Sequence, residues 1–169
     1  MCNSARCSIE AQAFGGNDYS FLRYAYVKLN GVAVWRASWW GEYPVHRGVN
    51  VIIVDLSTCI RQAWHSFDTY GDSTAAVRLH DYLQGLSDGT VLVGVSCEST
   101  EWGHNHLQYV FPTLRALGAD VADVRYRGAF VFVAVKGDSS KTVLDRMRAE
   151  ALNANATMPH VNTNFCKCD

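Results

Sequence analysis

The sequence predicts an α+β (mixed α/β) fold: a single compact domain, residues 1–169, of antiparallel hairpins plus buried strands flanked by short helices. Three observations predict it. Two early pairs of β-rich segments are joined by tight turns, two later apolar runs are continuous, and helical spacing appears between and after those runs. A chain of 169 residues, 49% hydrophobic and 18% charged, is large enough to bury a core without repeats or an obligate metal.

The elements follow in order. Residues 21–29 and 32–40 are rich in aromatic and β-branched residues, and Asn30-Gly31 between them supplies the positive φ angles of a tight hairpin turn. Residues 49–56 and 60–67 form a second strand pair around Ser57-Thr58-Cys59. Residues 72–86 switch to helical spacing, with Ala76, Leu79, Leu83 and Leu86 on one face and Asp72 or Ser73 as the cap. Residues 90–96 make a continuous apolar strand of the fully buried kind, and residues 130–135 make another. Between them, residues 105–117 read as a helix closed by Gly118. Residues 141–153 read as a short amphipathic helix before a cysteine-bearing tail.

Charge and hydropathy exclude several function classes. A net charge of −1 gives no electrostatic footprint for nucleic acid, and no apolar run approaches the roughly 20 residues of a membrane span, so neither nucleic acid nor membrane insertion is expected. The opening Met1-Cys2-Asn3-Ser4-Ala5-Arg6-Cys7 holds no hydrophobic signal segment, as in a mature or trimmed secreted chain.

That absence is uninformative, and the six cysteines tell more: Cys2, Cys7, Cys59, Cys97, Cys166 and Cys168. Neither terminal cluster has zinc-ligand spacing, whereas disulfides fastening the chain ends suit an extracellular protein. Asn155-Ala156-Thr157 is a glycosylation acceptor triplet consistent with export. The competing reading is a set of unpaired buried thiols in a cytosolic protein.

No catalytic constellation emerges: G-x-S-x-G, the P-loop, G-x-G-x-x-G after a strand and H-E-x-x-H are all absent. Cys97 with His104 would make a thiol–imidazole pair, but a disulfide is the expected fate of Cys97. Asp68 lies in a Phe-Asp-Thr-Tyr-Gly turn, where a short carboxylate commonly accepts from local backbone amides.

A ligand is expected instead on the segment from Cys97 to His106, which reads Cys-Glu-Ser-Thr-Glu-Trp-Gly-His-Asn-His. Loops leaving strand ends carry function disproportionately. Glu98, Glu101 and Asn105 offer the oxygen ligands Ca²⁺ prefers, and a calcium with open positions accepts two vicinal sugar hydroxyls. Trp102 offers an indole for the C–H face of a pyranose, and His104 adds a further polar group. The bland alternative is a solvated helix start with Trp102 as partial core. Trp35, Trp39 and Trp40 present the same choice between a sugar-stacking platform and an interface, and a dimer interface is favoured.

One ordered string of motifs adds to this reading: Arg47-Gly48-Val49-Asn50-Val51, Phe67-Asp68-Thr69-Tyr70-Gly71, Asp88-Gly89-Thr90-Val91-Leu92-Val93, and Gly128-Ala129-Phe130 running through to Gly137. Its order and spacing resemble the GG domain of the interleukin-like epithelial–mesenchymal transition inducer family, and are similar to the sugar-binding stem domain of the protein O-mannose N-acetylglucosaminyltransferase. The resemblance implies a non-enzymatic domain in which one of Cys2 and Cys7 bonds one of Cys166 and Cys168. It also implies a pocket of Arg47, Glu98 and Arg125. Two departures point to a re-tuned pocket: the chain has Cys97-Glu98-Ser99 where the family shows an Asp-containing step, and Arg125-Tyr126-Arg127-Gly128 where it shows Arg-Asp-x-Trp.

The resulting expectation is a secreted lectin for a terminal hexose, galactose above others, with Ca²⁺ in the 98–106 loop. A sea-anemone-type galactose lectin fits this short, cysteine-tied architecture. The chain is expected to form a homodimer, disulfide-linked if a terminal cysteine is left over. The alternative is a cytokine-like secreted signalling protein acting through protein contacts.

Overall fold

Two sheets pack face to face, and helices cover the outer face of one of them. The computed structural model describes residues 3–16, 24–38, 43–44, 46–98, 106–124, 127–146 and 158–167. The first sheet comprises β1 (Asn3–Gln12), β3 (Tyr24–Leu29), β4 (Val32–Ser38) and β10 (His160–Lys167), in the order β10-β1-β3-β4. The second comprises β5 (Gly48–Asp55), β6 (Ile60–Phe67), β7 (Val91–Glu98), β8 (Phe130–Val135) and β9 (Asp138–Arg146), in the order β6-β5-β7-β8-β9. The short strand β2 (Phe14–Gly15) joins the end of β7 in parallel. Helix α1 (Ala75–Gly85), a 3₁₀ turn (His106–Val110) and α2 (Phe111–Ala116) complete the described elements.

The expected α+β class is therefore overturned. Strands dominate, and the arrangement is a β-sandwich with helical cover on one side. Three segments account for the difference. Residues 3–12 and 160–167, at the cysteine-bearing ends, pair with each other from Asn3↔Lys167 to Gln12↔His160. Residues 138–146, where a helix starting at 141 was expected, form the edge strand β9 against β8. Turning at Gly137, the chain meets the unpaired edge of β8, and that ladder outweighs local helical spacing. Residues 147–153 of the expected helix lie outside the described residues.

The early hairpins form as the sequence predicts. Asn30 (φ 49°) and Gly31 (φ 79°) both take the left-handed conformation between β3 and β4. Helix α1 buries Ala76, Leu79 and Leu83, and Asp72 accepts from the backbone N–H and hydroxyl of Thr74 at 2.8 Å in the turn before it. The expected helix over 105–117 resolves into the 3₁₀ turn and α2, which begins at Phe111 with Pro112 in its first turn.

The continuous apolar runs are explained by burial of the second sheet on both faces. Val91, Val93 and Val95 of β7 and Val131, Val133 and Val135 of β8 point into the core between the sheets, with Ile9, Val27, Leu29 and Trp35. Leu92 of β7 and Phe130, Phe132 and Ala134 of β8 point the other way, against Leu79, Leu83, Leu107 and Leu114. A strand covered on both sides has no position at which polarity is favoured.

Of the cysteines expected to link the two termini, Cys7 is taken elsewhere, while Cys2, Cys168 and the side chain of Cys166 lie outside the described residues. Cys7 bonds Cys59, tying β1 of the first sheet to the turn before β6 of the second. Cys7 lies in the inter-sheet core, so its side chain faces the second sheet rather than β10. Cys97, expected in a disulfide, is a buried free thiol. The described parts of the chain ends also pair along the β1–β10 ladder.

Among the described residues, no helix is long and apolar enough to cross a membrane.

Candidate functional site

One end of the second sheet gathers the charged residues of the first two motifs, Arg47 and Asp68, with Glu98 beside them. Arg47 immediately precedes β5, and Glu98 ends β7, its antiparallel neighbour, where Gly48 pairs with Cys97. Gly48 has φ 95°, and a Cβ there would strike the carbonyl oxygen of Phe67. The Arg-Gly step thus exists because the chain must turn left-handed against the end of β6. That turn places the Arg47 guanidinium over the Phe-Asp-Thr-Tyr-Gly segment.

There the guanidinium is fixed on two sides. Its Nε donates to Oδ1 of Asp68 at 2.9 Å and its Nη2 to Oδ2 at 2.6 Å, a bidentate fork. Its plane sits 4.7 Å from the ring centroid of Tyr70. The Asp68 carboxylate also accepts from the Gly71 N–H at 2.9 Å, the local backbone contact the turn motif predicts. Burial pulls the Asp68 pKa up, but the Arg47 hydrogen bonds, the Gly71 amide and the Arg47 charge together hold it below the ordinary value. The Asp68 hydrogen bond raises that of Arg47.

Glu98 also approaches Arg47, its Oε2 4.0 Å from Nε. It is 7% exposed and has φ 62°, so it closes a buried strand rather than standing on an open loop. This corrects the expectation of an exposed Glu98. Its carbonyl accepts from the Gly16 N–H as the chain leaves β2. Arg127 packs over Gly15 and Gly16 at this same end. Beside it Ser96, fully buried, accepts from the Phe130 N–H at 2.7 Å.

Of the residues expected in the pocket, the structure brings together Arg47 and Glu98. Glu101, Trp102, His104, Asn105 and Arg125 lie outside the described residues, as do Trp39, Trp40 and the Asn155-Ala156-Thr157 triplet. Trp35 is buried in the inter-sheet core, which removes it from an exposed stacking platform. Asp68 and Tyr70 are the site residues that sequence reasoning missed. Their signal was present, because the first two motifs of the ordered string are the two that meet here.

The buried Cys97 thiol has its pKa pushed well up by desolvation and by the neighbouring Glu98 charge, which disfavours the reactive thiolate. A calcium ion needs six to eight oxygens. The Asp68 oxygens are taken by Arg47 and Gly71, and the Glu98 carboxylate faces Arg47. Among the described residues no group of three or more His, Cys, Asp or Glu is placed to hold a metal.

Fold and site together define a disulfide-tied β-sandwich domain with a guanidinium forked to one carboxylate and close to a second at one sheet end. The model of the interleukin-like EMT inducer family matches residues 47–138, from the site arginine to the first residue of β9. That is more than half of the chain, and the protein belongs to this family. No curated protein matches the chain.

Proposed function

We propose that this protein is a non-enzymatic, secreted carbohydrate-binding domain whose site is the sheet end formed by Arg47, Asp68, Tyr70 and Glu98. The observation that carries the reading is the fixed position of Arg47, bidentate to Asp68 and 4.0 Å from the buried Glu98 carboxylate. The fork to Asp68 leaves Nη1 and one Nη2 hydrogen as oriented donors, which suit sugar hydroxyls. Segments 99–105 and 125–126, carrying the remaining expected pocket residues, adjoin this same end in sequence. A terminal hexose is the proposed ligand, with galactose favoured because its cis hydroxyls and apolar opposite face suit a polar group plus an indole. The Cys7–Cys59 disulfide supports an oxidising compartment.

The calcium part of the proposal rests on Glu101 and Asn105 completing the set with Glu98. The described residues alone do not fit the ion, so calcium is a separate arm of the test. Calorimetric titration with galactose, N-acetylglucosamine and mannose, each with calcium and with chelator, separates the possibilities. Saturable heat with one sugar, lost in Arg47→Lys and Glu98→Gln, supports the site. Heat insensitive to chelator removes the metal, and silence at millimolar sugar removes the lectin reading.

The second reading is a cytokine-like signalling protein acting through protein contacts. It is favoured by Val32, 67% exposed, and Ile60, 56% exposed, which open two sheet-edge strands. A homodimer is proposed under either reading, to be checked by sedimentation equilibrium.

A further inference from the structure

A second polar cleft lies at the edge of the sandwich, its wall residue His46 next in the chain to Arg47. Strand β4 is the edge of the first sheet and β6 the edge of the second. Between them opens a cleft of about 430 Å³, walled by Trp35, Arg36, Tyr43, His46, Arg61 and Trp64. The two sheets are bridged there by Arg61, whose Nη1 donates to the Val34 carbonyl at 2.6 Å. Arg36 Nη1 donates to the Tyr43 hydroxyl at 2.7 Å. His46 stands between the indoles, 5.9 Å from the Trp35 ring and 4.8 Å edge-on to Trp64.

The polar inventory of this cleft is one-sided. Among the described residues each arginine makes one hydrogen bond, which leaves further guanidinium N–H groups, and neither has a carboxylate partner. Tyr43, accepting from Arg36, keeps its own proton to donate. The Trp35 indole N–H is buried with no acceptor among the described residues. No acidic residue is among those that wall the cleft. Burial lowers the His46 pKa, so its imidazole is neutral at physiological pH and the positive charge there belongs to the arginines. Donors and fixed positive charge beside an indole face make a complement to an anion carried on a ring with an apolar side.

We propose that this cleft binds an anionic saccharide, with a carboxylate or sulfate between Arg36 and Arg61 and the sugar ring against Trp64. The site is independent of the hexose site, since it shares none of Arg47, Asp68, Tyr70 or Glu98. Its position at an open sheet edge admits an internal residue of a glycan chain as well as a terminal one.

The test is calorimetric titration of the whole protein with N-acetylneuraminic acid, glucuronic acid and galactose 6-sulfate, with neutral galactose alongside. At least one acid should bind, and more weakly at high salt. R36Q/R61Q should lose roughly tenfold or more of that affinity, as expected for charge-assisted hydrogen bonds. Binding of the carboxylates alone identifies a uronic or sialic acid, and binding of the sulfate alone a sulfated sugar. Because Arg61 bridges the sheets, R36Q alone is the second variant; Arg36 is exposed and its loss should weaken the acid without lowering Tm. No acid bound by the wild-type protein, or equal binding by R36Q and the wild type, overturns the proposal. Absence of galactose binding with acid binding lost in R36Q would overturn the hexose site and leave this one standing.

Discussion

Arg47 and Asp68 meet through two parallel hydrogen bonds of 2.9 and 2.6 Å, although 21 positions separate them in the chain. The fork orients the guanidinium before any ligand arrives. Asp68→Asn should therefore lower sugar affinity by about tenfold. The pair is more than a third exposed on both sides, so its loss should cost no more than about 1 kcal/mol of stability. Calorimetry beside a thermal melt checks both; unchanged affinity with a lowered Tm would make Asp68 a structural residue only.

Gly48 is the position on which the site's geometry depends most. Any side chain there meets the Phe67 carbonyl while the backbone is held at φ 95°. Gly48→Ala should destabilise the domain by roughly 2–4 kcal/mol. Urea unfolding followed by tryptophan fluorescence measures the loss, and a change under 0.5 kcal/mol would mean that β5 can begin elsewhere.

The Cys7–Cys59 bridge closes a separation of 52 residues. Loop-closure entropy assigns a bridge of that span about 4 kcal/mol. Reduction should lower Tm by many degrees, and the double variant C7A/C59A should melt well below the wild type in non-reducing buffer.

Cys97 should behave oppositely. Its thiol is buried and its pKa is raised, so iodoacetamide should leave it unmodified in the native protein and label it once urea is added. Mass spectrometry of the peptide holding Cys97 reads the outcome. Rapid native labelling would place the thiol in contact with solvent.

Acid should loosen the start of α1 within a defined window. Asp72 is pulled down to about 2, chiefly by its bond from Arg78 and then by Thr74. A folded value below the ordinary 3.8 means a contribution present at neutral pH and lost as pH falls from about 4 through about 2. Melting temperatures across that range should fall less steeply for Asp72→Asn than for the wild-type protein.

Much of this protein is legible in its sequence alone. Asn30-Gly31 dictates a hairpin because few other pairs tolerate two positive φ angles. Residues 75–85 form a helix with the predicted face inward, and the apolar runs of β7 and β8 are central because only doubly covered strands lack polar positions. These are local properties, set by backbone sterics and side-chain period. The motif string likewise located Arg47, and the polar segment after the buried strand located Glu98. Only the tertiary structure decided the rest. The terminal segments became strands because each supplies the other's hydrogen-bond partners, although some 150 residues separate Glu10 from its neighbour His160. Residues 138–146 extended along β8 for the same reason. Cys7 found Cys59 because the two sheets face each other across one core. Arg47 found Asp68 because β5 and β6 run antiparallel, bringing Val49 opposite Phe67 and the residues flanking them together. Pairings between distant segments depend on which surfaces become neighbours, and no local spacing encodes that.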